Sequence, residues 1–374
     1  MPFLSNVVKG LTPGTKLGFR AWCEVTYTPK GEKQGKDISE EISKYLLSLD
    51  YTDNMIGQVD DINISLEDRA QLWSGDWFPE RGAKIAVTLK MYNRDRLDAG
   101  TQELRLGNFE IDEIEVKNAP AVVTIKAISA TFEGTLRGVK KNRSWDKVTV
   151  KKVATDIAES NKLSLDWYCN DNPELDHVEQ SDESDLEFLQ KVIKDAGFGM
   201  KIDDKKIILF DELELEKAEP KIKLIHPGIA ATTTNTENEL KTVDRFLDYS
   251  LKAKTRDVYK ACHVSYRKGK DKQTVEATYT DASKQTGQTL EVSEQCKTVA
   301  EAERLAKKRL REKNKEEFTA VFSLYGDFIY AAGQTILLEK FGAFDGKYIL
   351  TKVSMKFGGG FTASLDLRRC LNGY

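Results

Sequence analysis

The chain is poor in the residues that metal and redox chemistry usually needs. Its 5 cysteines stand alone at Cys23, Cys169, Cys262, Cys296 and Cys370, with no C-x-x-C pair. An odd count leaves at least one unpaired, and isolated cysteines read as reduced structural thiols. The 3 histidines, His177, His226 and His263, are far apart and fit no metal-ligand spacing. No metal and no cofactor is therefore expected. Apolar runs of about 18 residues are also lacking, so neither a transmembrane helix nor membrane insertion is expected. Nor does one sign of charge dominate: Lys+Arg is 57, Asp+Glu is 60, and the formal net charge is −3. A general nucleic-acid binder would show a basic excess, although a local basic patch stays open. The first residues, Met1 to Gly10, lack the basic leader and apolar stretch of a secretory signal. That predicts a chain made and folded in a cytoplasm.

What is present is ordinary globular material, 40% hydrophobic and 31% charged over 374 residues. That length suggests two or three domains at roughly 150 residues each. The first third alternates as strands do, at Phe19–Thr28, Ile62–Leu66, Ile85–Leu89, Phe109–Val116 and Val122–Ile128. Ile38–Leu49 fits a short helix or a bent strand. The middle changes character. Val150–Ser160 has helical apolar spacing, and Ser184–Ala196 is a strong amphipathic helix with Ser184 as N-cap and Gly197 as the terminating glycine. Strands are expected at Leu163–Tyr168, Phe198–Ile202 and Lys206–Phe210. Glu212 to Asn238 reads as a charged linker, with strands resuming near Val243. Thr298–Lys315 is a second helix, opened by the capping box Thr298-Val299-Ala300-Glu301. Four strands follow, at Phe318–Leu324, Thr335–Glu339, Tyr348–Lys356 and Phe361–Leu367.

A faint duplication is the most informative pattern. At a shift of 239, Gly107, Phe109, Ile111, Ile114 and Val116 meet Gly346, Tyr348, Leu350, Val353 and Met355. Both copies break strict alternation at one spot, between Ile111 and Ile114 and between Leu350 and Val353, as a shared β-bulge would require. One strand earlier, Gly82-Ala83-Lys84-Ile85 resembles Gly333-Gln334-Thr335-Ile336 at a shift of 251. A longer loop in the first copy, about Asn93 to Glu103, is expected to absorb the difference. Two unrelated hairpins would also alternate; the matched glycines and the matched break favour a repeat. Two such copies per subunit in a trimer would give six similar domains about one axis.

Catalysis finds little support. The acids of Glu110-Ile111-Asp112-Glu113-Ile114-Glu115 could serve a glycosidase, but a solvated or channel-facing strand explains them better. No G-x-S-x-G, P-loop or other nucleotide fingerprint occurs. Gly358-Gly359-Gly360 precedes a strand pattern and reads as a hairpin turn. Arg304, Lys307, Lys308 and Arg311 share one helix face, which is a solvated side or a surface for an acidic partner.

Longer stretches carry a resemblance. Thr52-Asp53-Asn54 with Gly57, the run Asp60 to Arg69, and Pro79 with Gly82-Ala83-Lys84-Ile85 resemble the opening of the phage late control gene D family. Gln180-Ser181-Asp182-Glu183-Ser184-Asp185-Leu186-Glu187-Phe188-Leu189, followed by Ala196-Gly197-Phe198, is similar to that family's most recognisable segment. A related form occurs in the hub portion of type VI secretion spike proteins. The resemblance implies a central baseplate hub of a contractile tail. It implies an α+β, mainly β fold, with two similar tube-type β-barrel domains (1–138 and 216–374, the latter including a linker) flanking a small α+β domain (139–215). It further implies a homotrimer whose pseudo-hexameric ring joins the hexameric tail tube protein to a trimeric spike protein, with baseplate wedge and tape-measure proteins as further partners. DNA would pass transiently through its channel.

The ring is then expected to use strands carrying Ile85, Val87, Leu89, Phe109, Ile111, Ile336, Leu338, Tyr348, Leu350 and Val353. Glu110, Asp112 and Glu115 are expected to line the channel, where negative charge would keep DNA from sticking. Some relatives fuse a spike or a cell-wall hydrolase. The chain ends at Tyr374 just after the last β pattern, which predicts a separate spike and no enzyme. The alternatives are a distal tail or tail-associated protein of a non-contractile phage and, third, a cell-wall hydrolase. The place of action implied is the baseplate of a virion or phage-tail-like particle, assembled in the bacterial host cytoplasm.

Overall fold

A computed structural model describes residues 19–94, 100–129, 136, 138–203, 206–227, 240–267, 274–296 and 298–371. The fold is mainly β, and no closed barrel is found among the described residues. Two compact units divide it. One takes in the described residues up to Asp211 with Tyr325–Ala331 and Val353–Ser364; the other holds Glu212–Leu324, Ala332–Lys352 and the described part of Leu365–Tyr374.

The first unit opens with β1 (Arg20–Thr28), β2 (Lys36–Asp37) and α1 (Ser39–Tyr45). Then come β3 (Leu46–Asn54), β4 (Asp61–Glu67), β5 (Lys84–Tyr92), β6 (Thr101–Lys117) and β7 (Val122–Ile128). They form an antiparallel ladder in the order β3-β4-β7-β6-β5-β1-β2. Alternate residues point inward, so Ile62, Ile64 and Leu66, Ile85, Val87 and Leu89, and Val123, Ile125 and Ala127 make one buried face. The ambiguous stretch Ile38–Leu49 is both things: helix α1, then the start of β3.

An α+β insert follows: β8 (Lys140–Thr149), α2 (Val150–Ser160), β9 (Ser164–Tyr168), β10 (Glu174–Ser184), α3 (Asp185–Ala196), β11 (Gly199–Asp203) and β12 (Lys206–Phe210). β8 pairs with β10, and β11, β12 and β9 form a small sheet with β12 and β9 parallel. The stripes of α2 and α3 meet over a core that includes Val153, Ile157, Leu189, Ile193, Ile207 and Leu209. Phe188 stacks on Trp145 with ring centroids 5.3 Å apart. Helix α3 begins as its sequence requires. Ser184 Oγ accepts from Glu187 N, the Glu187 carboxylate accepts from Ser184 N, and Gly197 closes the helix at φ +88°.

The second unit carries α4 (Glu212–Lys217), β13 (Ile222–Ile225), β14 (Lys241–Val243), β15 (Asp248–Ala253), β16 (Tyr259–Arg267), β17 (Thr274–Thr280), β18 (Gln288–Val292) and α5 (Val299–Asn314). Then come β19 (Phe318–Tyr325), β20 (Thr335–Glu339), β21 (Gly346–Phe357) and β22 (Phe361–Arg369), whose distal residues 353–364 belong to the first unit. β20, β21, β22, β19 and β15 are successive neighbours, and β13 runs parallel beside β20. Between β15 and β19, the sheet β17-β16-β18 and α5 pack a satellite core around Cys262, Val264, Ala302, Ala306 and Leu310. Thr298 caps α5, its Oγ1 accepting from Glu301 N at 3.2 Å. The stretch expected to be a linker is structured at its start, as α4 and β13; residues 228–239 lie outside the described residues.

Candidate assembly interface

The duplication read from sequence has a geometric counterpart. β5 and β6 pair Ile85 with Phe109 and Val87 with Gly107; β20 and β21 pair Ile336 with Tyr348 and Leu338 with Gly346. These are the same rungs under the two shifts. Ile111 N donates to Ala83 O at 2.9 Å, and Leu350 N donates to Gln334 O at 2.9 Å. Gly82 N donates to Ile111 O and Gly333 N to Leu350 O, from glycines at φ +79° and +85° that a Cβ would strain. The register of β6 against β7 slips between Ile111 and Glu113. In β21 the buried phase changes at the equivalent place, from Tyr348 and Leu350 to Val353 and Met355. Neighbour order corresponds too: β5-β6-β7-β4-β3 in the first copy, β20-β21-β22-β19-β15 in the second.

Two features escaped sequence reading. Thr88 to Tyr92 add rungs against Arg105 to Thr101, so the far end of the loop expected at Asn93 to Glu103 is paired strand, while its residues 95–99 lie outside the described residues. The shift of 251 also reaches further upstream, matching Gly75-Asp76-Trp77-Phe78 with Gly326-Asp327-Phe328-Ile329. Extending the alignment past Gly82 would have found it.

The ten residues expected at the ring all pack inside the protomer. Ile85, Val87, Leu89, Phe109, Ile111, Ile336, Leu338, Tyr348, Leu350 and Val353 are each no more than 3% exposed. Their side chains hold the ladders together, so contacts to a neighbour at these strands would fall to strand edges and to alternate residues. The bulge keeps Ile111 and Ile114 on one side of β6, opposite Ala127 and Ile125 of β7. Glu110 is half-buried, Asp112 is exposed and Glu115 is half-buried. Lysines stand among them: Lys126 Nζ lies 2.7 Å from Glu113, and Lys117 Nζ lies 2.9 Å from Glu115. The hydrogen bond from Lys117 holds the Glu115 carboxyl below its usual range. The face is thus mixed in charge rather than a purely acidic field. Asp112 also borders an open cleft of about 730 Å³, together with Asp61, Asn63, Lys126 and Glu187.

The recognisable segment Gln180 to Leu189 builds structure. Asp185 is fully buried and accepts from Lys141 at 2.7 Å, Asn161 at 2.8 Å, Gln180 at 3.0 Å and from Arg143. Gln180 is itself buried, and its Oε1 accepts from Arg143 Nε at 3.0 Å. Burial pushes the Asp185 carboxyl up, but these hydrogen bonds and the Arg143 charge outweigh it and leave it below the usual value. A second cluster ties β11 to the end of β3 and to the β3–β4 turn: Lys201 Nζ lies 2.5 Å from Asp53 and 3.1 Å from Asp60.

Burial, opposed by Lys201 and reinforced by Asp53, pushes the Asp60 carboxyl up from 3.8 to about 6. An acid with a raised folded value binds its proton more tightly when folded. Its contribution is therefore fully present below the unfolded value and declines as pH rises through about 6. Asp60→Asn keeps an oxygen for Asn54 N, which Asp60 now accepts at 2.9 Å. Relative to wild type, the variant should gain on the order of 1 kcal/mol between pH 5 and 7.5, from about 1.4 kcal/mol per unit. Urea midpoints at the two pH values check this; an unchanged difference would contradict it.

Among the described residues, no group of three His, Cys, Asp or Glu is arranged to hold a metal ion. What the described residues offer is duplicated ladders and polar clusters that fix one part to the next.

A model of the family described as phage tail baseplate hub (GPD) matches residues 122–360, more than half of the chain. The probable baseplate hub protein of Escherichia phage 186 is 32% identical over 177 residues, which are 46% of this chain and 42% of that protein. The chain thus spans about two fifths of the length of that curated relative. The crystal structure of a tail protein from Neisseria meningitidis MC58 matches with a TM-score of 0.65 at 12% identity, covering 93% of this chain and 97% of that one. A chain of the Francisella PdpA–VgrG complex matches with a TM-score of 0.56 at 8% identity, covering 99% of this chain and 55% of that one. Such low identities show a shared fold. With the family match over more than half its length, the chain belongs to the phage tail baseplate hub (GPD) family.

Proposed function

We propose that this hub is a symmetry adaptor of a contractile tail. Three subunits form a ring, and each contributes two similar β ladders, so the ring offers a nearly six-fold face to a tail tube protein and a three-fold face to a spike protein. Residues 1–138 and 216–374 carry the ring-forming parts, and 139–215 the α+β insert. The observation that carries this reading is the shared register, Ile85 opposite Phe109 and Ile336 opposite Tyr348. A duplicated ladder is what a three-fold object needs in order to meet a six-fold one. The mixed face of Glu110, Asp112 and Glu115 lines the channel, through which DNA passes without being held. Wedge and tape-measure proteins bind elsewhere on the ring, and assembly takes place in the host cytoplasm. The work is assembly, and no side chain is assigned a reaction.

Solution mass tests the trimer. Light scattering on the protein with and without its co-expressed spike should give three hub chains in at least one condition. A strictly monomeric hub in both, at high concentration, would sink the proposal.

A further inference from the structure

The duplicated ladders also show how one copy meets the next. Within the first unit, the distal half of β21 is bordered by β3. Lys356 Nζ lies 3.6 Å from Asp50, and a Cβ on Gly358 would fall 2.2 Å from Leu47 O. The two strands therefore run in opposite directions, with Lys356 near Asp50 and Gly358 near Leu47. β3 is the outer strand of the first copy, and β21 is the long hairpin strand of the second. The seam is the first copy's outer strand laid on the second copy's post-bulge edge.

Among the described residues, the complementary pair of edges is open. Among the described residues, β15, the counterpart of β3, pairs with β19 alone. β5 borders β6 only as far as the rung Lys84–Glu110, with Ala83 and Gly82 reaching Ile111. Beyond it, among the described residues, Asp112 to Lys117 have a strand neighbour on the β7 side only. Unpaired strand edges of this kind are templates for pairing with another chain.

We propose that β15 of one subunit adds to the post-bulge edge of β6 of the next, repeating between chains the β3–β21 seam that each chain makes internally. The contact is heterologous, so it generates a ring if the rotation closes; this inference rests on the trimeric reading above. The register follows from the repeat. Lys356 corresponds to Lys117 under the shift of 239. Asp50 corresponds to Ser250, because Leu49 opposes Ile64 as Tyr249 opposes Phe322, each at the centre of a buried triplet. Lys117 then lies beside Ser250, and two rungs along, Glu115 lies beside Lys252. Lys117, Ser250 and Lys252 are exposed and Glu115 is half-buried, and the Glu115–Lys252 pair is opposite in charge.

Cross-linking tests the seam. Lys117→Cys with Ser250→Cys, and separately Glu115→Cys with Lys252→Cys, are placed in the full chain, co-expressed with the spike and treated with a short bismaleimide. Wild type, with its own 5 cysteines, and the single variants set the background. The expected result is a shift of most chains to two-chain and three-chain masses for both pairs. If light scattering shows the trimer and neither pair links above background, the seam is wrong and the ring reading stands. If no trimer forms in wild type or variants, both fall together.

Discussion

Asp185→Ala should lower the stability of the α+β insert by about 3–5 kcal/mol, the usual cost of removing one partner from a buried ion pair. Asp185 is fully buried, and its loss takes the carboxylate away from Lys141 and Arg143, whose side chains are only 22% and 28% exposed. It also leaves Asn161 and Gln180 short of an acceptor. Because the folded carboxyl lies below the ordinary value, its contribution is present above that value and is lost as pH falls through the folded one. Urea unfolding at neutral pH, with hydrogen exchange to locate the damage, should show lost protection in α2 and α3. A loss below about 1 kcal/mol would mean that water replaces the carboxylate without penalty.

A comparable loss, again about 3–5 kcal/mol, is expected for Glu216→Ala in the second unit. The Glu216 side chain is 3% exposed and lies 2.6 Å from both Arg311 and Arg368, while its other oxygen accepts from Leu371 N at 3.0 Å. Glu212 holds Arg368 as well, at 2.6 Å, but does not replace the bond to Arg311. The cluster ties α4 to α5 and to the end of β22. Lost protection should therefore fall on Val299–Asn314 and on Leu365–Arg369, leaving α2 and α3 intact. Damage spread evenly over both units would contradict this.

The two acids also mark what the sequence makes legible. Around Asp185, local chemistry and periodicity agree: a capping residue, acids in the first turn, an apolar stripe and a closing glycine. The helix could be read to the residue, although the partners of Asp185, which lie on β8 and α2, could not. Around Glu216 they disagree. Six residues of charged helix, then a short β13 paired parallel to a strand more than a hundred residues away, carry no periodic signal of their own. The stretch reads as a linker because its order comes from long-range ion pairs. β8 and β10 escaped for a related reason, being strands of largely polar residues that pair with each other.

For assembly, the repeat was visible in glycines and in a break of alternation, both backbone signals that survive change of side chains. The ten residues expected at the ring are apolar, and all ten are buried in the protomer. Alternation reveals which residues face the core; it does not reveal which strand edges are left open. Those edges became visible only with the ladder order, where β3 borders the distal part of β21 and, among the described residues, the matching stretch of β6 has one neighbour.

Three chains are expected to supply six similar ladders. A cryo-EM map of the assembled particle at the end of its tube tests it most directly. The expected map shows three hub chains per ring, with β5–β6 and β20–β21 hairpins alternating at six nearly equivalent positions about the axis. Six chains per ring, one chain, or two ladders of each chain in unrelated positions would contradict it.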